Sequence, residues 1–140
     1  IVDKRRNSPG EIELMTIIGD VNDRICLVVD DICDTAGTLV KATDLLLEKG
    51  AIEVHAYVTH GVLSGPAVER INSSSIKSLV ITDSIEKTKN VKNSKKIRSV
   101  STAPMLAQAI LNISQGNSVS SLFSDETLKP IYEKYYPNLY

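Results

Sequence analysis

A strand–helix–strand pattern constrains the fold more than any other feature of the sequence. Ile25–Val29 is a continuous apolar run, which predicts a strand buried on both faces. Thr38–Lys49 repeats apolar residues at helical spacing and is followed by Gly50, a residue that commonly ends helices. Ile52–Val58 then alternates apolar and polar residues, as a half-buried strand does. Strands joined by a helix in this way form a right-handed crossover in a parallel sheet.

The alternation of strands and helices continues along the chain. A short helix is predicted after Ser64–Pro66, with Ser64 as its cap, and Ala103–Ser114 is predicted as a helix capped by Thr102. Strands are predicted at Ser78–Thr82 and Ile97–Val100. The fold class is therefore α/β, a three-layer parallel sheet with flanking helices.

Length and composition exclude several classes of protein. The chain has 140 residues, enough for one domain, and its 42% hydrophobic and 24% charged residues are those of an ordinary globular protein. A net charge of −1 gives no reason to expect nucleic acid or a membrane surface as a partner. No apolar run approaches the roughly 20 residues that span a bilayer. Two cysteines make neither a disulfide framework nor a metal cluster, which favours the cytoplasm.

Two adjacent carboxylates follow the first apolar run. Asp30 and Asp31 are predicted to stand at the carboxyl edge of the sheet, where ligands of open α/β folds bind. Capping a helix needs only one carboxylate, and two adjacent ones repel each other. The pair is better explained by recognition of neighbouring sugar hydroxyls, directly or through Mg²⁺.

The residues Asp34–Thr38, here called the phosphate loop, lead into the predicted helix. Small side chains let backbone amides approach an anion, and Gly37 is expected to relax the steric limits on the turn. The helix N-terminus and the hydroxyls of Thr35 and Thr38 favour a phosphate. Asp34 would either face the sugar or hold the loop by accepting amide hydrogen bonds. The alternative is a strand and a capped helix with aspartates as turn formers.

The stretch VVDDICDTAGT, Val28–Thr38, resembles the phosphoribosyl-pyrophosphate fingerprint of type I phosphoribosyltransferases and ribose-phosphate pyrophosphokinases. The resemblance implies that Asp30 and Asp31 hold the ribose. It also implies that the 5-phosphate is bound by Asp34, Thr35, Ala36, Gly37 and Thr38.

Further stretches resemble the pyrophosphokinase family in particular: IVDKRR, IIGDV, THGVLSGPAVERI and SVSSLF, in that family's order. The resemblance implies transfer of the pyrophosphoryl group of ATP to the 1-hydroxyl of ribose 5-phosphate, with Mg²⁺. It implies no direct metal ligand in this chain, although Asp30 and Asp31 could reach an ion through sugar or water. The implied fold is phosphoribosyltransferase-like and truncated at its N-terminal edge, with a domain at 1–123 and a tail at 124–140.

Two of these stretches imply further site residues. In IVDKRR the resemblance assigns Lys4 and Arg6 to catalysis, by stabilising charge on the transferred phosphate. In SVSSLF it assigns a regulatory site for phosphate or ADP to Ser118, Val119, Ser120 and Phe123. Without the resemblance, a solvated basic run and a plain turn would explain both stretches.

The chain begins without an initiator methionine, and we interpret it as the second half of a longer enzyme. The first half would supply ATP binding, so the fragment alone is expected to be inactive. By resemblance the enzyme is a cytoplasmic homo-oligomer, a hexamer. Two alternatives stay open: a phosphoribosyltransferase that attaches a base to the sugar, and a non-catalytic member that regulates active subunits.

Overall fold

The computed structural model describes residues 2–5, 14–17 and 19–135, and for 2–5 and 14–16 it describes the backbone only. The chain forms two compact units, Ile1–Val100 and Ser101–Tyr140. The division predicted at 123, between domain and tail, stays a prediction.

The first unit contains two sheets. Strands β1, Val2–Arg5, and β2, Leu14–Ile17, pair antiparallel. Four parallel strands form the main sheet in the order β3-β4-β5-β6. These strands are β3, Ile25–Cys33; β4, Glu53–Gly61; β5, Ser78–Thr82; and β6, Ile97–Val100. The helices between them are α1, Gly37–Glu48; α2, Ala67–Ser73; and α3, Lys89–Asn93. The α/β class, with a parallel sheet and flanking helices, is confirmed.

The main core lies between one face of the sheet and these helices. Ala56 of β4 and Leu79 of β5 are 0% exposed and belong to one cluster with Leu39 of α1 and Ile71 of α2. Burial of this apolar surface is the main stabilising term of such a fold.

On the opposite face of the sheet the described side chains of β3 are exposed, although Val80 of β5 is buried there, so the prediction that Ile25–Val29 is buried on both faces is wrong. Leu27 is 58% exposed, Val29 72% and Tyr57 41%. A continuous apolar run shows that both faces of a strand are apolar, but it does not supply the element that covers each face. In the described part of the chain β3 pairs with β4 only, so it is also an edge strand.

Helix ends agree with the sequence at α1 and differ at α2. Gly50 has a φ of +93°, and the amide of Ala51 donates to the carbonyl of Leu46, a glycine-dependent helix end. Helix α2 has Pro66 at its N-cap without a side-chain cap, so the predicted cap by Ser64 is wrong. The polar, lysine-rich composition of residues 86–96 predicts a loop, whereas the structure forms α3 within them.

The second unit contains helices α4, Ala103–Ser114, and α5, Asp125–Tyr135, separated by a 3₁₀ turn at Ser120–Phe123. Helix α4 has the predicted bounds, but Thr102 makes no side-chain cap hydrogen bond, so that predicted cap is wrong. Among the described residues, no helix combines the length and the apolar character needed to cross a membrane.

Candidate functional site

Asp30 and Asp31 lie at the carboxyl end of β3, as predicted, but inside the strand. Strand β3 extends to Cys33, which pairs with Gly61 of β4. The amide of Asp31 donates to Oδ1 of Asp30 over 3.0 Å, which holds that carboxylate against the strand end. Asp30 is half-buried and Asp31 is exposed. One carboxylate is therefore fixed by the backbone, and the other faces solvent.

The turn into α1 is made by Ala36, not by Gly37. Ala36 is the N-cap of α1 and has a φ of +60°, whereas Gly37, the first residue of the helix, has no positive φ. The expectation that Gly37 relaxes the turn is therefore wrong. A Cβ at position 37 would make ordinary van der Waals contacts, the nearest at 3.8 Å to Nη1 of Arg70, so the described packing does not require glycine there. Ala36 has no polar side chain, so it does not cap the first N–H groups of α1, which can then donate to an anion.

A depression of about 330 Å³ brings together all seven residues predicted to bind ribose 5-phosphate. It is lined by Asp30, Asp31, Ile32, Cys33, Asp34, Thr35, Ala36, Gly37, Thr38, Leu39 and Val58. A volume of this size lies at the lower end of the range for small-molecule sites. Carboxylates at a strand end therefore stand beside the N-terminus of a helix, a combination suited to a phosphorylated sugar.

A second, larger depression of about 560 Å³ lies beside it, along the open edge of β3. Its lining is mostly apolar and includes Cys26, Val28, Ala42 and Leu46. It shares only Asp30, Thr38 and Leu39 with the first depression. An apolar space beside a strand edge that is unpaired in the described structure suits packing against another protein segment. The smaller polar depression suits a charged ligand.

Cys33, at the end of β3, is buried in the main core. The side chain is 5% exposed, and burial raises the pKa of its thiol. The negative charges of Asp30 and Asp34 raise this pKa further, whereas a hydrogen bond from the backbone of Ala36 lowers it. Because the thiolate is the reactive form of cysteine, burial and a raised pKa lower the reactivity of Cys33, which packs the strand end.

The segment that follows β4 holds the phosphate loop, a role that the sequence analysis missed. The amides of Leu63 and Ser64 donate to the carbonyls of Cys33 and Asp34, each over 3.1 Å. The hydroxyl of Ser64 donates to the carboxylate of Asp34. Asp34 thus holds the loop, which is one of the two roles that the sequence left open for it. Its carboxylate accepts from the hydroxyl of Ser64, whereas backbone amides were the expected donors. The sequence signal for this role is Ser64 in the turn before α2, because a serine hydroxyl in a loop commonly bonds a neighbouring segment.

The residues assigned to catalysis fall at the margin of the described structure. Lys4 belongs to β1, where its backbone pairs with Met15 of β2. Arg6 lies outside the described residues. Their assignment therefore stays a prediction.

The residues assigned to regulation form a turn that α4 holds. Nδ2 of Asn112, a buried residue of α4, donates to the carbonyl of Ser118 over 2.9 Å. The amide of Ser120 donates to the hydroxyl of Ser118, and Phe123 is 89% exposed. Val119 is 38% exposed. Asn112 was missed in the sequence, although a polar residue among the apolar residues of α4 is a signal for such a bond.

The described residues contain no group of three or more side chains that could hold a metal. The side chains considered are those of histidine, cysteine, aspartate and glutamate. His60, at the end of β4, places its Nδ1 2.9 Å from the hydroxyl of Ser84. Mg²⁺ commonly keeps several waters and binds one or two carboxylates together with substrate phosphates, so the absence of such a group concerns only sites built entirely from protein.

Comparison with known proteins decides the family. The model of the phosphoribosyl synthetase-associated domain matches residues 5–124. The chain belongs to this family. The predicted kinship with the ribose-phosphate pyrophosphokinases is thereby confirmed.

Two curated proteins and one solved structure support this family assignment. The ribose-phosphate pyrophosphokinase of Cereibacter sphaeroides is 65% identical over 136 residues, which cover 97% of this chain and 40% of that protein. That of Rhizobium meliloti is 57% identical over 123 residues, 88% of this chain and 40% of that protein. A crystal structure of phosphoribosylpyrophosphate synthetase from Mycobacterium smegmatis matches 74% of this chain and 35% of that one, with a TM-score of 0.69 and 34% identity. The chain thus spans about 40% of the length of these curated relatives.

Proposed function

We propose that this chain is the ribose 5-phosphate-binding part of a ribose-phosphate pyrophosphokinase. The observation that carries the proposal is the shared depression of Asp30, Asp31 and the phosphate loop, in a chain whose relatives bear that name. The whole enzyme would join ATP and ribose 5-phosphate to give phosphoribosyl pyrophosphate and AMP.

The chain's own residues would bind and orient the sugar. The carboxylates of Asp30 and Asp31 can accept hydrogen bonds from adjacent ribose hydroxyls. The hydroxyls of Thr35 and Thr38 and the first N–H groups of α1 can donate to the 5-phosphate, where the helix dipole adds favourable charge. Held at both ends, the sugar would present its 1-hydroxyl at a fixed position, which is the main requirement of phosphoryl transfer.

The transfer itself would form a bond between the 1-oxygen and the β-phosphorus of ATP. The bond from the β-phosphorus to the oxygen that bridges it to the α-phosphorus breaks, AMP leaves with that oxygen, and the proton of the 1-hydroxyl is released to solvent. In this proposal the positive charges of Lys4 and Arg6 stabilise the phosphate oxygens during transfer. Mg²⁺ would be held mainly by substrate oxygens, because the described residues do not form a complete metal site.

The remaining assignments are part of the same proposal. Ser118, Val119, Ser120 and Phe123 would bind a regulatory phosphate or ADP, and the exposed ring of Phe123 fits a surface covered in an assembly. The enzyme would act as a cytoplasmic homo-oligomer.

A chimeric enzyme tests the proposed activity. The matching segment of the Cereibacter sphaeroides enzyme, 65% identical, would be replaced by this chain, and the product supplied with ATP and ribose 5-phosphate. We expect AMP release without any added base. Release of pyrophosphate from phosphoribosyl pyrophosphate and an added base, with no AMP formed from ATP and ribose 5-phosphate, would indicate a phosphoribosyltransferase. Binding of ribose 5-phosphate without AMP release would indicate a non-catalytic member.

A variant of the chimera tests the catalytic assignment. Lys4→Ala should lower the turnover rate by about 100-fold or more, because a preorganised charge on the transferred group is lost. An unchanged rate would contradict the role of Lys4 but not the class of enzyme.

A further inference from the structure

The phosphate loop is held from outside by a short segment after β4. Two backbone amides, of Leu63 and Ser64, donate to the carbonyls of Cys33 and Asp34. The hydroxyl of Ser64 adds a bond to the carboxylate of Asp34. Three donors of one segment therefore fix the beginning of the loop.

Arg70 of α2 fixes the next residue of the loop. Its Nη1 donates to the carbonyl of Thr35 over 3.0 Å. Ala67 and Ile71 are 0% exposed in the main core, so α2 cannot shift without disturbing that core. The guanidinium of Arg70 therefore reaches the loop from a rigid base.

The conformation of the loop explains why it needs such support. Ala36 has a φ of +60°, a left-handed conformation that costs free energy in a residue with a Cβ. Strained residues of this kind persist only where the surrounding structure over-determines them. The contacts made by Ser64 and Arg70 on either side of Asp34 and Thr35 supply that constraint.

We propose that Arg70 and Ser64 are positioning residues that hold the phosphate loop in its ligand-binding shape. Arg70 also brings a positive charge to the loop, which favours a dianionic ligand. The identity of the ligand rests on the proposed function. The support of the loop does not depend on the proposed function, because the contacts that supply it are present in the unliganded chain.

Three arginine variants of the 140-residue chain test the proposal. Arg70→Met keeps the aliphatic stem and removes the donors and the charge, whereas Arg70→Lys keeps the charge and one donor group. Arg98→Met is the matched control, since Arg98 is exposed on β6 and lines a different depression. Amide hydrogen exchange and titration with ribose 5-phosphate would be followed by NMR on each chain.

Exchange of the Leu63 and Ser64 amides, which donate to the loop, reports its support directly. We expect Arg70→Met to speed both by about fivefold to tenfold and to weaken ribose 5-phosphate binding by a similar factor. Exchange of the Leu79 amide, bonded to the carbonyl of Lys96 in the core, should stay within about twofold, which shows intact global stability. Arg70→Lys should restore part of both losses, and Arg98→Met should match the unmodified chain.

Ser64→Ala is a second variant, which keeps the backbone hydrogen bonds of the segment and removes the hydroxyl. It should speed exchange of the Leu63 and Ser64 amides by a smaller factor than Arg70→Met does. The proposal is overturned if Arg70→Met leaves the Leu63 and Ser64 exchange rates unchanged, or if Arg98→Met changes them equally. If the unmodified chain does not bind ribose 5-phosphate, the proposed function fails, and the exchange rates alone decide the role of Arg70.

Discussion

Replacing Gly61 by alanine should destabilise the first unit by overpacking it. Gly61 ends β4, and a Cβ placed there would lie 2.8 Å from Cγ2, 2.9 Å from Cδ1 and 3.1 Å from Cβ of Ile81. Ile81 is 2% exposed, so its side chain has no free space into which to rotate. Real Cβ atoms essentially never approach within 3.0 Å, so β4 or β5 must move.

The expected cost combines two opposing effects. Overpacking a well-packed core costs about 1–3 kcal/mol. Alanine also restricts the unfolded chain, which returns about 0.4–1 kcal/mol. From the middle of each range, about 2 kcal/mol lost and about 0.7 kcal/mol returned, we expect Gly61→Ala to lower the free energy of unfolding by about 1.3 kcal/mol.

Urea unfolding followed by circular dichroism measures this change. Gly37→Ala is the control, because the new Cβ there meets its nearest atoms at 3.8 and 3.9 Å and φ is not positive. It should leave stability unchanged or raise it by up to about 1 kcal/mol.

A double-mutant cycle identifies the cause. Ile81→Val removes the Cδ1 methyl that a Cβ at position 61 would meet at 2.9 Å. Ile81→Val alone should cost about 0.5–1.5 kcal/mol. Combined with Gly61→Ala it should cost at least about 0.5 kcal/mol less than the sum. A neutral Gly61→Ala, or strict additivity, would refute the argument from close packing.

Two other predictions follow from burial. Val29→Thr should change the free energy of unfolding by no more than about 0.5 kcal/mol, because Val29 is 72% exposed. Val54→Thr, the same change at a residue that is 0% exposed, should cost about 1–3 kcal/mol, and equal costs in urea unfolding would contradict the exposure of Val29. At pH 8, alkylation of Cys33 by iodoacetamide should be slower than that of the half-buried Cys26, because the raised pKa of Cys33 lowers its thiolate fraction. Mass spectrometry of the two peptides checks the order, and faster modification of Cys33 would contradict it.

Local patterns predicted several of the elements correctly. The bounds of β5, Ser78–Thr82, and α4, Ala103–Ser114, were predicted to the residue, because each depends on spacing within a short window. Asp30 and Asp31 were placed at the carboxyl end of a parallel strand, which follows from the strand–helix–strand pattern alone.

The features that the sequence did not predict depend mainly on contacts between residues that are distant in the sequence. The contact from Arg70 to Thr35 spans 35 residues of sequence and has no local signal. The exposure of Val29 depends on which element covers a sheet face, and strand composition does not determine that. Gly37 was expected to relax the turn, but Ala36 has the left-handed conformation there, because the surrounding contacts outweigh the intrinsic preference of the residue.

The most direct test of the central claim is a titration of this chain with ribose 5-phosphate, followed by NMR. We predict saturable shifts confined to residues 30–38, which line the smaller depression, and much weaker shifts with ribose alone, because the phosphate supplies the interaction with α1. Asp31→Asn should weaken this binding without changing the fold. Shifts that arise elsewhere, or no saturable binding at millimolar concentration, would contradict the assignment of this loop to a sugar phosphate.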